Sequence, residues 1–246
     1  MENIHAHRDH APKSITPSGF FGNSKDNIFE VKEIMTLEEQ EKLIYFIKNN
    51  DKWDQTQTRY DEDGLVLYQA DPWKDRTCTS QTLFEANKDI FDLINVLILR
   101  LKPIVEKKFD VVIDTSGPAM VRWPEGSRQE PHADKEFWVG EEAGRPNDFP
   151  WYDIGSIFYL NNDYEGGELY FPQHGIEFKP NPRSAYVFVG DRNYAHGVRP
   201  VKHGTRYTSP LFWTIKSFLK NAPKDELLGF DSDFYKRSLK MTNRYD

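Results

Sequence analysis

Residues 154–171 read IGSIFYLNNDYEGGELYF. Ile154–Leu160 is a β-branched and aromatic run of strand length. Asn161, Asn162 and Asp163 interrupt it, Gly166 and Gly167 permit a tight hairpin turn, and Glu168–Phe171 resumes the strand texture. Outward from this stretch, short apolar runs keep alternating with Gly, Pro, Asn and Asp. They predict further strands at Ala119–Trp123, Gln129–Lys135, Ser184–Val189, Gly197–Val201 and Arg206–Ile215. Many short strands without βαβ alternation predict a mostly β fold, a sandwich or barrel, with flanking α-helices.

The helices lie upstream. Thr36 and Glu39 form a capping box that opens a helix over 36–50, with Leu37, Leu43, Ile44 and Ile47 as its apolar stripe. A second helix is predicted over 82–108, opened by Thr82 and Glu85. Its stripe is Ile90, Phe91, Ile94, Leu97, Ile98, Leu101, Ile104 and Val105, and Pro103 should kink it or end it early. Between the helices, 53–80 is a polar and aromatic excursion with Asp63-Gly64 as a turn and Pro72 as a breaker, long enough to be a lid or a surface decoration. Residues 1–27 read as an irregular lead-in, with His5, His7 and His10 in a solvated tail. Residues 217–246 read as a C-terminal extension. That leaves 28–216 as one domain with its β-core at about 117–216.

A chain of 246 residues, 38% of them hydrophobic, can build one sizeable core. Its 39 acidic residues outweigh 32 basic ones, for a net charge of −7. Nucleic acid and anionic membranes repel such a chain, so neither is an expected partner. The single cysteine, Cys78, allows no internal disulfide and reads as a small buried residue. The N-terminal MENIHAHRDHAPKS lacks the apolar core of a secretory signal, and no run approaches the roughly 18 apolar residues of a membrane span. A soluble, cytoplasmic protein is expected.

The chemistry concentrates in QEPHADKE, residues 129–136. On a strand, His132 and Asp134 point to the same face, so an imidazole nitrogen and a carboxylate oxygen can reach one metal ion. NYAHGVRPV supplies His196 from another predicted strand. Two histidines and one carboxylate form a facial triad suited to non-haem Fe(II), with open positions for a bidentate co-substrate and dioxygen. Zinc accepts the same donors and is the main alternative. Ten residues after His196 stands Arg206, whose guanidinium can hold a carboxylate bidentately. It favours a dicarboxylate co-substrate over plain zinc chemistry, against the simpler reading of a structural salt bridge.

VRWPEGSRQEPHAD, FYLNNDYEGGELYFP and HGVRPVKHGTRY, together with DRTCTSQTLF at 75–84, resemble the prolyl 4-hydroxylase branch of the Fe(II)- and 2-oxoglutarate-dependent oxygenases. The resemblance covers most of residues 30–216. It implies a double-stranded β-helix (jelly-roll) core and an iron site at His132, Asp134 and His196. It also implies a 2-oxoglutarate site in which Arg206 binds the distal carboxylate and Tyr159 assists. Trp123 stands where the family often has tyrosine, so the contact there changes from a hydroxyl to an indole N–H. The collagen-modifying enzymes usually carry lysine where Arg206 stands; the anchor is kept with a different cation. The resemblance further implies Fe(II), 2-oxoglutarate and O2, with ascorbate as a supporting reductant, and conversion of 2-oxoglutarate to succinate and carbon dioxide as a C–H bond is hydroxylated. Related halogenases lack the carboxylate that Asp134 provides, so hydroxylation is expected, with desaturation or ring formation as alternatives.

The expected substrate is a prolyl residue in a protein or peptide, with a free amino acid or other small metabolite as the alternative. Trp213, Trp138 and Arg122 are candidate walls of the substrate pocket, and Trp151 is a further aromatic that would suit a peptide groove. The longer loop WVGEEAGRPNDFPWY, from Trp138 to Tyr152, is placed to shape that choice. Two readings of other classes remain: a non-catalytic β-barrel binding or sensor module, and a cupin-like dioxygenase that needs no 2-oxoglutarate. His174 and His203 read as surface or turn residues.

Overall fold

The computed structural model describes residues 16–54, 57–60, 66–70, 73–147 and 149–218. The three N-terminal histidines, the Asp63-Gly64 turn, Pro72 and nearly all of the C-terminal extension lie outside these residues. The described chain is mostly β, with strands β1 (Phe29–Val31), β2 (Gln57–Tyr60), β3 (Val66–Ala70), β4 (Thr77–Cys78), β5 (Val111–Thr115), β6 (Met120–Trp123), β7 (Gln129–His132) and β8 (Ile154–Tyr159). Then follow β9 (Glu165–Gly166), β10 (Leu169–Phe171), β11 (Ile176–Phe178), β12 (Ala185–Val189), β13 (His196–Val198), β14 (Val201–His203) and β15 (Arg206–Phe218). The helices are α1 (Leu37–Asn49), α2 (Ser80–Ala86) and α3 (Lys88–Phe109).

Helix α1 opens as the sequence predicts. The Thr36 side chain accepts from Glu39 N at 3.2 Å and Glu39 Oε2 accepts from Thr36 N at 2.8 Å. Leu43, Phe46 and Ile47 are its buried face, whereas Leu37 is exposed. The predicted second helix is two helices. Asn87 has extended backbone and caps α3, accepting from Ile90 N at 3.2 Å. Thr82 opens no helix; its hydroxyl donates to the Asp54 carboxylate. Nor does Pro103 end α3, which runs on to Phe109. The carbonyl that loses its donor belongs to Leu99, a residue of the solvent face, while Ile98, Leu101 and Val105 hold the opposite face in the core.

The larger sheet runs β1-β12-β8-β15-β6-β4, with β5 also pairing β15; the smaller runs β11-β10-β13-β7. All pairs are antiparallel. Strand β5 extends the β-region upstream of the expected start. It follows α3 after one left-handed residue, Asp110, which leaves almost no turn signal to read. Gly166 and Gly167 do not close a hairpin between β8 and β10, because β8 pairs β12 and β15 instead. The glycines permit a close approach: a Cβ on Gly166 would stand 2.2 Å from the Pro200 carbonyl, where β9 meets β14.

The register of the larger sheet sorts its side chains into two faces. Trp123 pairs Arg206, Val121 pairs Thr208, Thr208 pairs Tyr159, and Gly155 pairs Phe212 and Phe188. This face meets the smaller sheet: Tyr159, Tyr186 and Phe188 pack with Leu169 and Phe171 of β10. The intervening residues, Phe158, Leu211, Trp213 and Ile215, pack on the buried faces of the helices. Among the described residues, no helix is long and apolar enough to cross a membrane.

Candidate active site

Strands β7 and β13 place the two histidines opposite each other, His132 paired with His196 and their ring centroids 4.6 Å apart. Strand β7 stops at His132, earlier than predicted, so Asp134 does not share a strand face with it. Asp134 instead lies in the following turn, where its own N–H and that of Lys135 donate to Gly190 O at 2.9 and 3.1 Å. The convergence survives. Asp134 Oδ1 is 3.7 Å from His132 Nε2 and 3.8 Å from His196 Nε2, and the three ligand atoms lie within 4.8 Å of one another.

The donor chemistry fits a cation. His132 Nδ1 lies 3.1 Å from Glu130 O and His196 Nδ1 lies 3.2 Å from Tyr194 O. A carbonyl only accepts, so the proton sits on Nδ1 and each Nε2 presents a lone pair inward. Asp134 Oδ2 is buried without a hydrogen-bond partner. Burial pushes the Asp134 carboxyl up to about 8, and burial together with the facing His132 holds His196 well below its ordinary value. His132 is lowered by burial as well, although 34% of its side chain stays exposed at the mouth. Neutral imidazoles around an orphaned carboxyl oxygen form a site in which a divalent ion supplies the missing charge.

Glycines make room for this carboxylate. A Cβ on Gly155 would lie 2.7 Å from Asp134 Oδ2 and 2.5 Å from the Phe188 ring. Phe188 and Phe171 flank His196, at 4.3 and 5.6 Å between centroids. Next to Gly155, Phe212 stacks on Tyr152 at 4.1 Å, and Tyr152 stacks on Phe149 at 5.0 Å, the last ring reaching solvent.

Further along the same face Arg206 is fully buried. Its Nη2 donates to the Tyr159 hydroxyl at 2.9 Å, while Nε and Nη1 have no partner. A buried cation with two orphaned N–H groups and no carboxylate is costly unless an anion completes it. Among the described residues no carboxylate pairs with Arg206, which counts against the salt-bridge reading. Its guanidinium lies 4.8 Å from the Trp123 ring centre and 5.0 Å from that of Tyr159. Trp123 does not offer its N–H to a ligand; it donates to Thr208 Oγ1 at 3.1 Å, and the ring serves as a flat rest for the guanidinium.

Tyr164, which carries no sequence signal beyond following Asn161–Asp163, belongs to this chamber. Its hydroxyl is buried and unpartnered, and its ring and the Arg206 stem both close on the space where a Gly167 side chain would be. Burial raises its phenol to about 12, against the lowering by Arg206.

The three candidate pocket walls fare differently. Trp213 is fully buried in the helix-facing core with its indole N–H on Ser156 Oγ at 2.7 Å; Phe212, one residue away, takes the face toward the site. Arg122 also faces away, its guanidinium 4.0 Å from the Trp53 ring centre and its Nε donating to Asp75 O at 2.6 Å. Period-two alternation on β6 and β15 accounts for both. Trp138 is half-buried in the loop after the ligand turn. His174, read as a surface residue, is buried, stacked on Tyr194 at 4.9 Å, with Nε2 2.9 Å from Asn193 O.

Residues 119–214 match the family described as the 2OG-Fe(II) oxygenase superfamily. Over 75 residues the chain is 32% identical to prolyl 3-hydroxylase 1 of Gallus gallus, spanning 28% of this chain and only 10% of that relative's length. The viral collagen prolyl hydroxylase of Paramecium Bursaria Chlorella virus-1 superposes with a TM-score of 0.50 at 14% identity, covering 78% of this chain and 98% of that one. A Burkholderia pseudomallei oxidoreductase of the 2OG-Fe(II) oxygenase family does so at 0.52 and 14%, covering 77% and 86%. At such identities the likeness to solved structures is one of fold.

Proposed function

We propose, from the premise that residues 119–214 belong to the 2OG-Fe(II) oxygenase superfamily, that the chain is a dioxygenase hydroxylating an unactivated C–H bond of a prolyl residue in a protein or peptide. One observation carries the reading: a three-donor metal site and a buried arginine without a counter-charge share the interior between the same two sheets. We take those sheets as the halves of a double-stranded β-helix, and residues 28–216 as one oxygenase domain.

In this reading His132, Asp134 and His196 hold Fe(II), which with 2-oxoglutarate and O2 supplies the oxidising chemistry that yields succinate, carbon dioxide and a hydroxylated product. The protein's part is positional. The Glu130 and Tyr194 carbonyls keep both Nε2 atoms unprotonated and aimed inward. Arg206 takes the distal carboxylate through Nε and Nη1, with Tyr159 fixing its third nitrogen and Tyr164 adding a hydroxyl. Phe171 and Phe188 keep water from the His196 side, which strengthens each charge interaction within. The prolyl choice is supported by the relatives named as prolyl hydroxylases and by the Phe149–Tyr152–Phe212 stack, which runs from solvent to the glycine beside Asp134 and offers flat apolar surface to a pyrrolidine ring. The orphaned groups call for bound ligands, and the match of residues 119–214 to an oxygenase family counts against a binding module without turnover.

The test is succinate formation from 2-oxoglutarate with Fe(II), ascorbate and air, with and without a proline-rich peptide. Turnover raised by the peptide supports the whole reading. Slow turnover that the peptide leaves unchanged keeps the oxygenase and moves the substrate to a free amino acid or other metabolite. No turnover by iron-loaded protein removes the reading.

A further inference from the structure

The turn that carries Asp134 and the loop that leads into His196 are bridged by a segment far from them in sequence. Thr16 O accepts from Lys135 Nζ at 2.6 Å, and the Ser18 hydroxyl donates to Glu136 Oε1 at 2.8 Å. Both partners directly follow Asp134, and both are buried. Gly19 N donates to Asp191 Oδ2 at 2.9 Å, and the Tyr194 hydroxyl donates to Gly22 O at 3.1 Å and Ser24 O at 3.2 Å. Those partners stand five and two residues before His196. Asn27 closes the arrangement, its Nδ2 donating to the Tyr194 hydroxyl at 2.8 Å and to Phe21 O at 3.0 Å. Two turns, Phe20 N to Pro17 O and Gly22 N to Gly19 O, fold residues 16–24 into the shape these bonds need. Glu136 Oε1 also accepts from Arg192 N at 2.7 Å, so the two ligand loops meet under the segment.

We propose that residues 16–24 are a strap that positions the metal ligands, and that Tyr194 is the positioning residue passing its hold to His196. The phenol of Tyr194 is fastened to the strap while its carbonyl orients His196 Nδ1, so one fully buried residue connects the two. His174, stacked on the same ring and bonded to Asn193 O, closes the opposite side. The strap supplies none of the three candidate ligands. It sets the angle between the Asp134 turn and the His196 strand, on which the bite of the triad depends. The inference rests on the metal reading of His132, Asp134 and His196.

The experiment is calorimetric titration of the metal-free full chain with Mn(II), alongside its thermal unfolding in EDTA. Tyr194→Phe removes one hydroxyl and leaves the carbonyl. Ser18→Ala removes a half-buried hydroxyl and carries the same test should the buried substitution unfold the chain. Lys42→Ala, which breaks an exposed pair with Glu38, is the control. Titrations are made well below every melting point, so lowered stability alone does not register. The expected result is Mn(II) affinity about 10- to 100-fold weaker in both strap variants, recovered in Ser18→Thr and unchanged in the control. Unchanged affinity in the strap variants, with or without a lower melting point, overturns the proposal. A wild-type chain that binds no Mn(II) overturns the metal reading itself, a distinct outcome.

Discussion

Arg206 illustrates how a single residue can be legible in kind and illegible in company. Its identity and its place after His196 mark it as an anion anchor, but the groups that complete the anchor are spread along the chain. Tyr159 is visible only through a family resemblance, and Tyr164 through nothing in the sequence, because a tyrosine after an Asn-Asn-Asp turn fits a core or a surface equally well. The structure brings both phenols to the guanidinium. Tyr164→Phe should weaken 2-oxoglutarate binding to the Mn(II)-loaded protein by about 1 kcal/mol, one hydrogen bond to a charged group or somewhat less. Binding of a 2-oxo monocarboxylic acid, which has no distal carboxylate, should not change. Equal losses for both ligands in calorimetry would show that Tyr164 acts elsewhere. Gly155→Ala puts a methyl against Asp134 Oδ2 and Phe188. It should abolish measurable Mn(II) binding, a loss visible in the same titration.

At the scale of elements, period-two alternation decides more than residue type. Trp213 and Phe212 are both large aromatics on β15, and sequence alone gives no reason to prefer either as a pocket wall. The register does, sending Trp213 to the helices and Phe212 to the site. Trp213→Ala should therefore destabilise the fold by about 3–5 kcal/mol in denaturant unfolding while leaving 2-oxoglutarate affinity of the folded fraction intact. A specific loss of affinity would put Trp213 back in the pocket. The helices show the same limit. The Thr36–Glu39 cap was legible because it is local, whereas the break at Asn87 and the passage through Pro103 depend on what the helices pack against. Glu39 also pairs Arg100 of α3 through two bonds of 2.7 Å, tying α1 to α3. That bond to Arg100 holds the Glu39 carboxyl down from 4.5 to about 2. A depressed folded value means stability that is present above pH 4.5 and is lost as pH falls toward 2. Glu39→Gln should thus be less stable than wild type near neutrality and converge with it at the acid end. A stability gap independent of pH would show that the charge is immaterial.

For the whole molecule, a mostly β sandwich or barrel with flanking helices is what the alternation of short strands predicts, and the β-rich class was readable from the downstream half of the chain. The way the strands exchange partners was not, since sequential runs such as β8 and β10 end in different sheets. The candidate metal ligands lie on or just after strands of the smaller sheet, and the Asp134 turn is bonded to Gly190 after β12 of the larger one, so metal loading should be felt beyond the site. Mn(II) at about 100 times its dissociation constant should stabilise the chain by about 2.7 kcal/mol, seen as a higher melting temperature that Asp134→Ala abolishes. A shift of equal size in that variant would place the ion elsewhere.

The Arg206 chamber has a consequence for the life of the protein as well as for its chemistry. Its guanidinium is fully buried with two nitrogens unanswered, and burial together with the Arg206 charge lowers the pKa of Arg76. A fully buried guanidinium with two unpartnered nitrogens is a cost that a bound small dicarboxylate would offset. Local opening around β15 and β6 becomes rarer when such an anion is bound, and proteases cut what opens. In the proposed reading, 2-oxoglutarate would therefore protect the chain from proteolysis as well as serve as co-substrate.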